Sequence, residues 1–218
     1  MNEPPMLAQA RELIRAGDYH AAVEQLMAGL AELPPEFHRK AYNHAGLAFY
    51  FNQEWAEALG MFQVAANGSE VPEDWFNVAM AQVKIGDTAG GLGTWQKVLD
   101  LSYAHQDAPE TSTFFQKKLL FAKVLRDAGA DASVGHPVGL DLLEHQLIGF
   151  YTNYHSTDPH TWGIRGVPQF EDVMETTRDY YHMMGKTLAE WSALCDRVAA
   201  EVDAEGREYC AGVRESLG

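Results

Sequence analysis

The chain has 218 residues, enough for one large domain or two small ones with ample core. Its 46% apolar and 22% charged residues are the balance of a soluble globular protein. Sixteen basic against thirty-one acidic side chains give a formal charge of −15 with no cluster of Lys and Arg, which argues against nucleic acid as the main partner. The acidic excess is spread over both halves, as expected if it serves solubility, although a basic partner stays open. The opening MNEPPMLAQARELIRAG lacks a basic stretch followed by an apolar run, so no signal peptide is expected there. No apolar run approaches the roughly 18 residues that cross a bilayer. Two cysteines, Cys195 and Cys210, are too few for a disulfide framework and suit a reducing compartment, which places the chain in the cytoplasm.

The first hundred residues repeat. Three segments begin near Glu3, Arg39 and Pro72, a spacing of about 34 residues. The first gives Met6, Ala10, Leu13, Gly17, Tyr19, Ala22, Leu26 and Pro34 at positions 4, 8, 11, 15, 17, 20, 24 and 32. The second gives Tyr42, Ala45, Gly46, Phe49, Trp55, Ala58, Phe62 and Ala65 at positions 4, 7, 8, 11, 17, 20, 24 and 27. The third gives Trp75, Val78, Ala79, Gly86, Gly91, Trp95 and Val98 at positions 4, 7, 8, 15, 20, 24 and 27. Small residues at 8 and 20 let two helices approach closely, and bulky ones at 4, 11, 17 and 24 fill the space around them. Gln9 at position 7 of the first repeat and Gln82 at position 11 of the third depart from this pattern. The glycine run GDTAGGLGTW lacks the Lys-Ser/Thr of a phosphate loop, and the repeat register explains it as a turn and the start of a second helix.

This pattern resembles the tetratricopeptide repeat. The resemblance implies an all-α fold of tandem helix–turn–helix repeats, a right-handed α-solenoid, over residues 1–106, with 107–218 a helical region that caps or extends it. It also implies a concave groove for a protein or peptide, lined by the first helix of each pair. Mapped onto this sequence, that groove takes Leu7, Arg11, Ile14 and Arg15 from the first repeat. The second supplies Lys40, Asn43, His44, Leu47, Tyr50 and Phe51, and the third Phe76, Asn77, Met80, Val83 and Lys84. The clamp for a C-terminal carboxylate used by chaperone-binding members needs Lys and Asn where Leu7 and Arg11 stand, so that ligand is not expected. So many apolar groups in one groove call for a cover.

In the second half, residues 111–130 read as a helix with Thr111 or Ser112 as cap and Gly129 as stop, and 138–154 as another. Pro168 suits the first turn of a long final helix running to about residue 204. Steps of four and three from Phe170 through Met174, Thr177, Tyr181, Met184, Leu188, Trp191, Cys195, Val198 and Val202 form one nearly continuous apolar face. That face must pack within the chain or against a second copy, so the protein is a monomer or a homodimer. Cys195 on this face reads as buried, and Cys210, after Gly206, as more exposed.

Residues 154–168, YHSTDPHTWGIRGVP, break the helical pattern. Asp158-Pro159 is a turn signal, Trp162 an expected anchor to the core, and Arg165 a candidate for holding an anionic group. His145, His155, Asp158 and His160 could meet around a metal, and an enzyme or metal-binding site in 138–168 is the alternative to a binding module. No known ligand spacing supports it, and turn chemistry accounts for the prolines and glycines. The sequence therefore predicts a non-catalytic binding protein, with no cofactor, no metal and no membrane or nucleic-acid partner.

Overall fold

The computed structural model describes residues 3–104, 112–129, 131–158 and 166–217. The chain divides into two compact units, residues 1–105 and 106–218. All regular structure among the described residues is helical.

The first unit is a series of three helical hairpins. Helices α1 (Pro5–Ala16) and α2 (Tyr19–Gly29) form the first, α3 (Pro35–Phe51) and α4 (Trp55–Ala66) the second, and α5 (Pro72–Lys84) and α6 (Thr88–Ala104) the third. The two helices of each hairpin pack on each other, α1 and α2 both pack on α3, and α4 packs on α5. Proline opens α1, α3 and α5, where its missing N–H would lack a partner in any case. The hairpin turns need a left-handed residue: Gly17 has φ 85° and Gly86 φ 90°, and the second hairpin puts Gln53 there at φ 65°.

The repeat register is visible in the packing. All six small residues at positions 8 and 20 (Ala10, Gly46, Ala79, Ala22, Ala58 and Gly91) are buried, as are Leu26, Phe62 and Trp95 at position 24. A Cβ built on Gly46 would lie 2.5 Å from the Phe62 ring, and one on Gly91 2.5 Å from Val83. Glycine is therefore required where those helices cross. The two departures from the pattern are matched by polar pairs across the hairpins. Gln25 donates to Gln9 at 2.8 Å between α2 and α1, and Thr94 donates to Gln82 at 2.6 Å between α6 and α5.

In the second unit, α7 (Ser112–Asp127) packs on α8 (Gly135–Gln146), which continues through a π-helical stretch, Leu147–Tyr151, into the short α9 (Thr152–Tyr154). The expected single helix after Pro168 is three: α10 (Phe170–Met183), α11 (Leu188–Ala199) and α12 (Ala204–Val213). The break has a local cause. Gly185 turns left-handed at φ 65°, and Thr187 with Glu190 forms a reciprocal capping box that starts α11. Pro168 lies before α10 rather than in its first turn, and its carbonyl accepts the Tyr151 hydroxyl.

The apolar face counted through this region is buried in the unit's own core, against Phe115, Leu119, Leu140, Leu143 and Leu147 of α7, α8 and the π stretch. Leu188 alone falls out, 43% exposed at the start of α11. Polar ties lock the same core. Tyr180 donates to the Ala122 carbonyl at 2.6 Å, Gln146 to that of Phe115 at 2.9 Å, and the Trp191 indole to that of Val213 at 2.9 Å. Cys210, expected to be exposed, is buried between α11 and α12. Gly206 does not end a helix. It is the third residue of α12, and a Cβ there would lie 2.3 Å from the Thr157 methyl.

Candidate functional site

An open hollow of about 420 Å³ lies in the first unit along α1, α3 and α5. It is organised around one carboxylate. Asp74, in the first turn of α5, is 1% exposed and accepts four hydrogen bonds from three side chains. Arg39 Nη1 reaches both its oxygens at 2.9 and 2.8 Å, Asn43 Nδ2 reaches Oδ1 at 2.5 Å, and the Ser69 hydroxyl reaches Oδ2. A buried charge needs such compensation, and the α5 N-terminus adds its own. Asn43 then accepts from Asn77 Nδ2 at 3.2 Å, so that a polar chain runs from α3 to α5 and along the wall.

Across the hollow, Arg11 of α1 pairs with Glu3 at 2.6 Å, and Lys40 of α3 lies 3.8 Å from the other oxygen of Glu3. The Arg11 hydrogen bond holds the Glu3 carboxyl below its usual range. Burial, followed by the repulsion of Arg11, holds the His44 imidazole below its usual range, and its buried Nδ1 has no hydrogen-bond partner.

Of the side chains that the repeat register assigned to the groove, Arg11, Lys40, Asn43, His44, Leu47 and Asn77 line this hollow. The others lie elsewhere. Tyr50 packs edge-on against Trp55 at 5.0 Å, with Lys84 Nζ 5.2 Å above the same indole. Phe51 is half exposed beside Tyr19, while Phe76 is buried against Trp95. Met80, Val83 and Leu7 are buried, and Ile14 and Arg15 do not line the hollow. Sequence reasoning missed Glu3, Arg39, Ser69 and Asp74. A basic residue at position 1 of one repeat and an acidic one at position 3 of the next was the available signal.

Among the described residues the metal candidates do not form a cluster. His145, His155 and Asp158 are exposed, and His160 lies outside the described residues, as do Pro159, Trp162 and Arg165. Among the described residues no three His, Cys, Asp or Glu side chains are placed to hold an ion. The start of the 154–168 stretch is instead tied to the α11–α12 turn. His155 Nδ1 lies 2.7 Å from the Glu201 carbonyl oxygen, and Asp203 accepts from both the amide and the hydroxyl of Thr157 at 2.8 Å. Asp203 also caps α12 through the Gly206 amide at 3.0 Å. Burial pushes the Cys195 thiol up to about 12 and the Cys210 thiol up to about 11, so neither is an activated nucleophile. Among the described residues no helix is long and apolar enough to cross a membrane.

No protein-family model matches the chain, and no curated protein matches it. Among solved structures it is similar to a tetratricopeptide repeat protein from Parabacteroides merdae ATCC 43184, at 18% identity and a TM-score of 0.46, over 97% of this chain and 84% of that one.

Proposed function

We propose that the chain is a non-catalytic module of tetratricopeptide type that binds a protein or peptide in the hollow along α1, α3 and α5. One observation carries the reading. Six side chains that the repeat register assigns to a binding groove converge on an open hollow whose wall is already ordered by Asp74. Asn77 and Lys40 offer groups for a partner's backbone and carboxylates, and Leu47 an apolar contact. Asn43 is scaffold, because its amide is taken up by Asp74 and Asn77.

The test is site-specific photo-crosslinking in native lysate. A photoreactive residue replacing Leu47 should capture a partner that the same residue at Gln63, exposed on α4, does not. Lys40→Glu with Asn77→Ala should abolish that capture and leave helicity unchanged, because each hydrogen bond lost is worth only about 0.5–1.5 kcal/mol. Equal capture from both positions, or capture that survives the double substitution, would move the interface off this hollow.

A further inference from the structure

The chain's two cysteines both lie in the second unit, away from the hollow, and both are free thiols. Helices α11 and α12 pack as an antiparallel pair, and two hydrogen bonds fix their register. The Trp191 indole donates to the Val213 carbonyl at 2.9 Å, and the Ser192 hydroxyl to that of Arg214 at 2.8 Å. One turn further along, Cys195 comes four residues after Trp191 and Cys210 three before Val213, so the two stand at the same level. Both line one cleft of about 90 Å³, at 0% and 1% exposure, while Asp196, Arg207 and Ala211 around it are exposed. The thiols therefore form its floor. Helix axes that pack about 8–10 Å apart, with Cα atoms about 2.3 Å from each axis, bring facing Cα atoms to about 5 Å. A disulfide spans about 4.4–6.8 Å between Cα atoms.

We propose that Cys195 and Cys210 are a site of oxidative modification, where a small peroxide entering the cleft closes them into an intrachain disulfide that ties α11 to α12. One thiol gives up its proton and its sulfur attacks a peroxide oxygen. The O–O bond breaks, water leaves, and the sulfur becomes a sulfenic acid. The facing thiol then attacks that sulfur, the S–O bond breaks, and a second water leaves as the S–S bond forms. Two thiols supply two electrons, and hydrogen peroxide is reduced to two waters. Burial keeps both thiols protonated, so the rate rests on access and on the second sulfur being in place to intercept the first. Access also selects the oxidant. The cleft has room for a few molecules of water size, which admits hydrogen peroxide and keeps out glutathione disulfide. The product ties two helices that each contribute to the second core, through Trp191, Leu194 and Val198 of α11 and Cys210 of α12.

Intact mass under non-reducing conditions tests this on the full chain. Hydrogen peroxide in small excess should remove the mass of two hydrogens, dithiothreitol should restore it, and the melting temperature should rise by several degrees while the disulfide is closed. Over the same period glutathione disulfide should leave the folded chain unchanged, and should react once urea unfolds it. Cys195→Ala and Cys210→Ala should each show no peroxide-dependent rise in melting temperature. The wild-type masses decide the matter even if a variant folds poorly. Added oxygen without loss of hydrogen, a disulfide-linked dimer, or two thiols left free would each overturn the proposal. So would closure by glutathione disulfide as fast as by peroxide, or a melting temperature that does not rise on oxidation.

Discussion

In the first unit the side chains buried at the helix crossings are alanine and glycine, and the core is divided into clusters that join one hairpin to the next. Leu7, Ala10, Leu26, Phe37 and Ala41 make one such cluster, and Ala58, Phe62, Ala66, Val78 and Ala81 another. In the second unit one large cluster runs from Phe115 to Cys210 and is built on Tyr151, Phe170, Tyr180 and Trp191. The first arrangement is local and nearly additive, each repeat answering to its neighbours. The second depends on large side chains that meet from distant parts of the chain. Substitutions should therefore fail differently in the two units: by crowding in the first, by cavities in the second.

The largest effect is expected from Trp191→Ala. The indole is 0% exposed, packs edge-on against Tyr181 at 5.5 Å and holds the Val213 carbonyl. Its loss should cost about 3–5 kcal/mol, seen in urea unfolding and as lost amide protection across α10 to α12. A cost below about 1 kcal/mol would mean that the second core collapses around holes as easily as the first.

Crowding comes next. Gly46→Ala drives a methyl into the Phe62 ring, which is itself 1% exposed and cannot swing away, and should cost about 1–3 kcal/mol. Gly60→Ala on α4 meets nothing within 4 Å and should stabilise by about 0.5–1 kcal/mol through helix propensity alone. Thermal melts of the two variants should therefore move in opposite directions. A shared sign would show that the packing at position 8 is looser than the distances imply.

The smallest loss concerns Asp203, where Asp203→Ala should cost about 0.5–2 kcal/mol as a lost helix cap. Partial burial pushes its carboxyl up, but donors from Gly206, Thr157 and Ser156 outweigh this and hold it below its usual range. With the folded value lowered, its contribution is present above the unfolded value of about 3.9 and is lost as pH falls through the folded one. The gap in stability between wild type and Asp203→Ala should hold at neutral pH and close below about pH 4. A gap that persists in acid would assign the effect to packing instead.

The two units also differed in how much of them could be read in advance. The repeats were legible because their crossings recur: Ala10, Gly46 and Ala79 hold the same position about 34 residues apart. The Asp74 network was not, because Arg39 and Asn43 meet their partner from a different repeat and no hydrophobic period marks them. In the second unit the apolar spacing runs through Met184 and Leu188 without a gap, so periodicity alone joined α10 to α11. The signal that separates them is Thr187 with Glu190 after Gly185, a capping pattern rather than an apolar one. Gly206 misled for a related reason. A glycine near a chain end suggests a stop, and only the Thr157 side chain beside it shows that it serves close approach. Half of the candidate hollow followed from the repeat register, and the half that depends on ion pairing between repeats did not.

Asp74 has one further consequence, for the thermodynamics of capture. Fixing a flexible side chain at an interface costs about 0.5–1.5 kcal/mol of lost rotamer freedom. Through Asp74 that ordering is completed when the first unit folds: Arg39, Ser69 and Asn43 are held directly, and Asn77 through Asn43. A partner arriving in the hollow meets a preorganised wall. It has chiefly the long side chains of Arg11 and Lys40 left to immobilise, so the entropy lost on binding is confined to the rim.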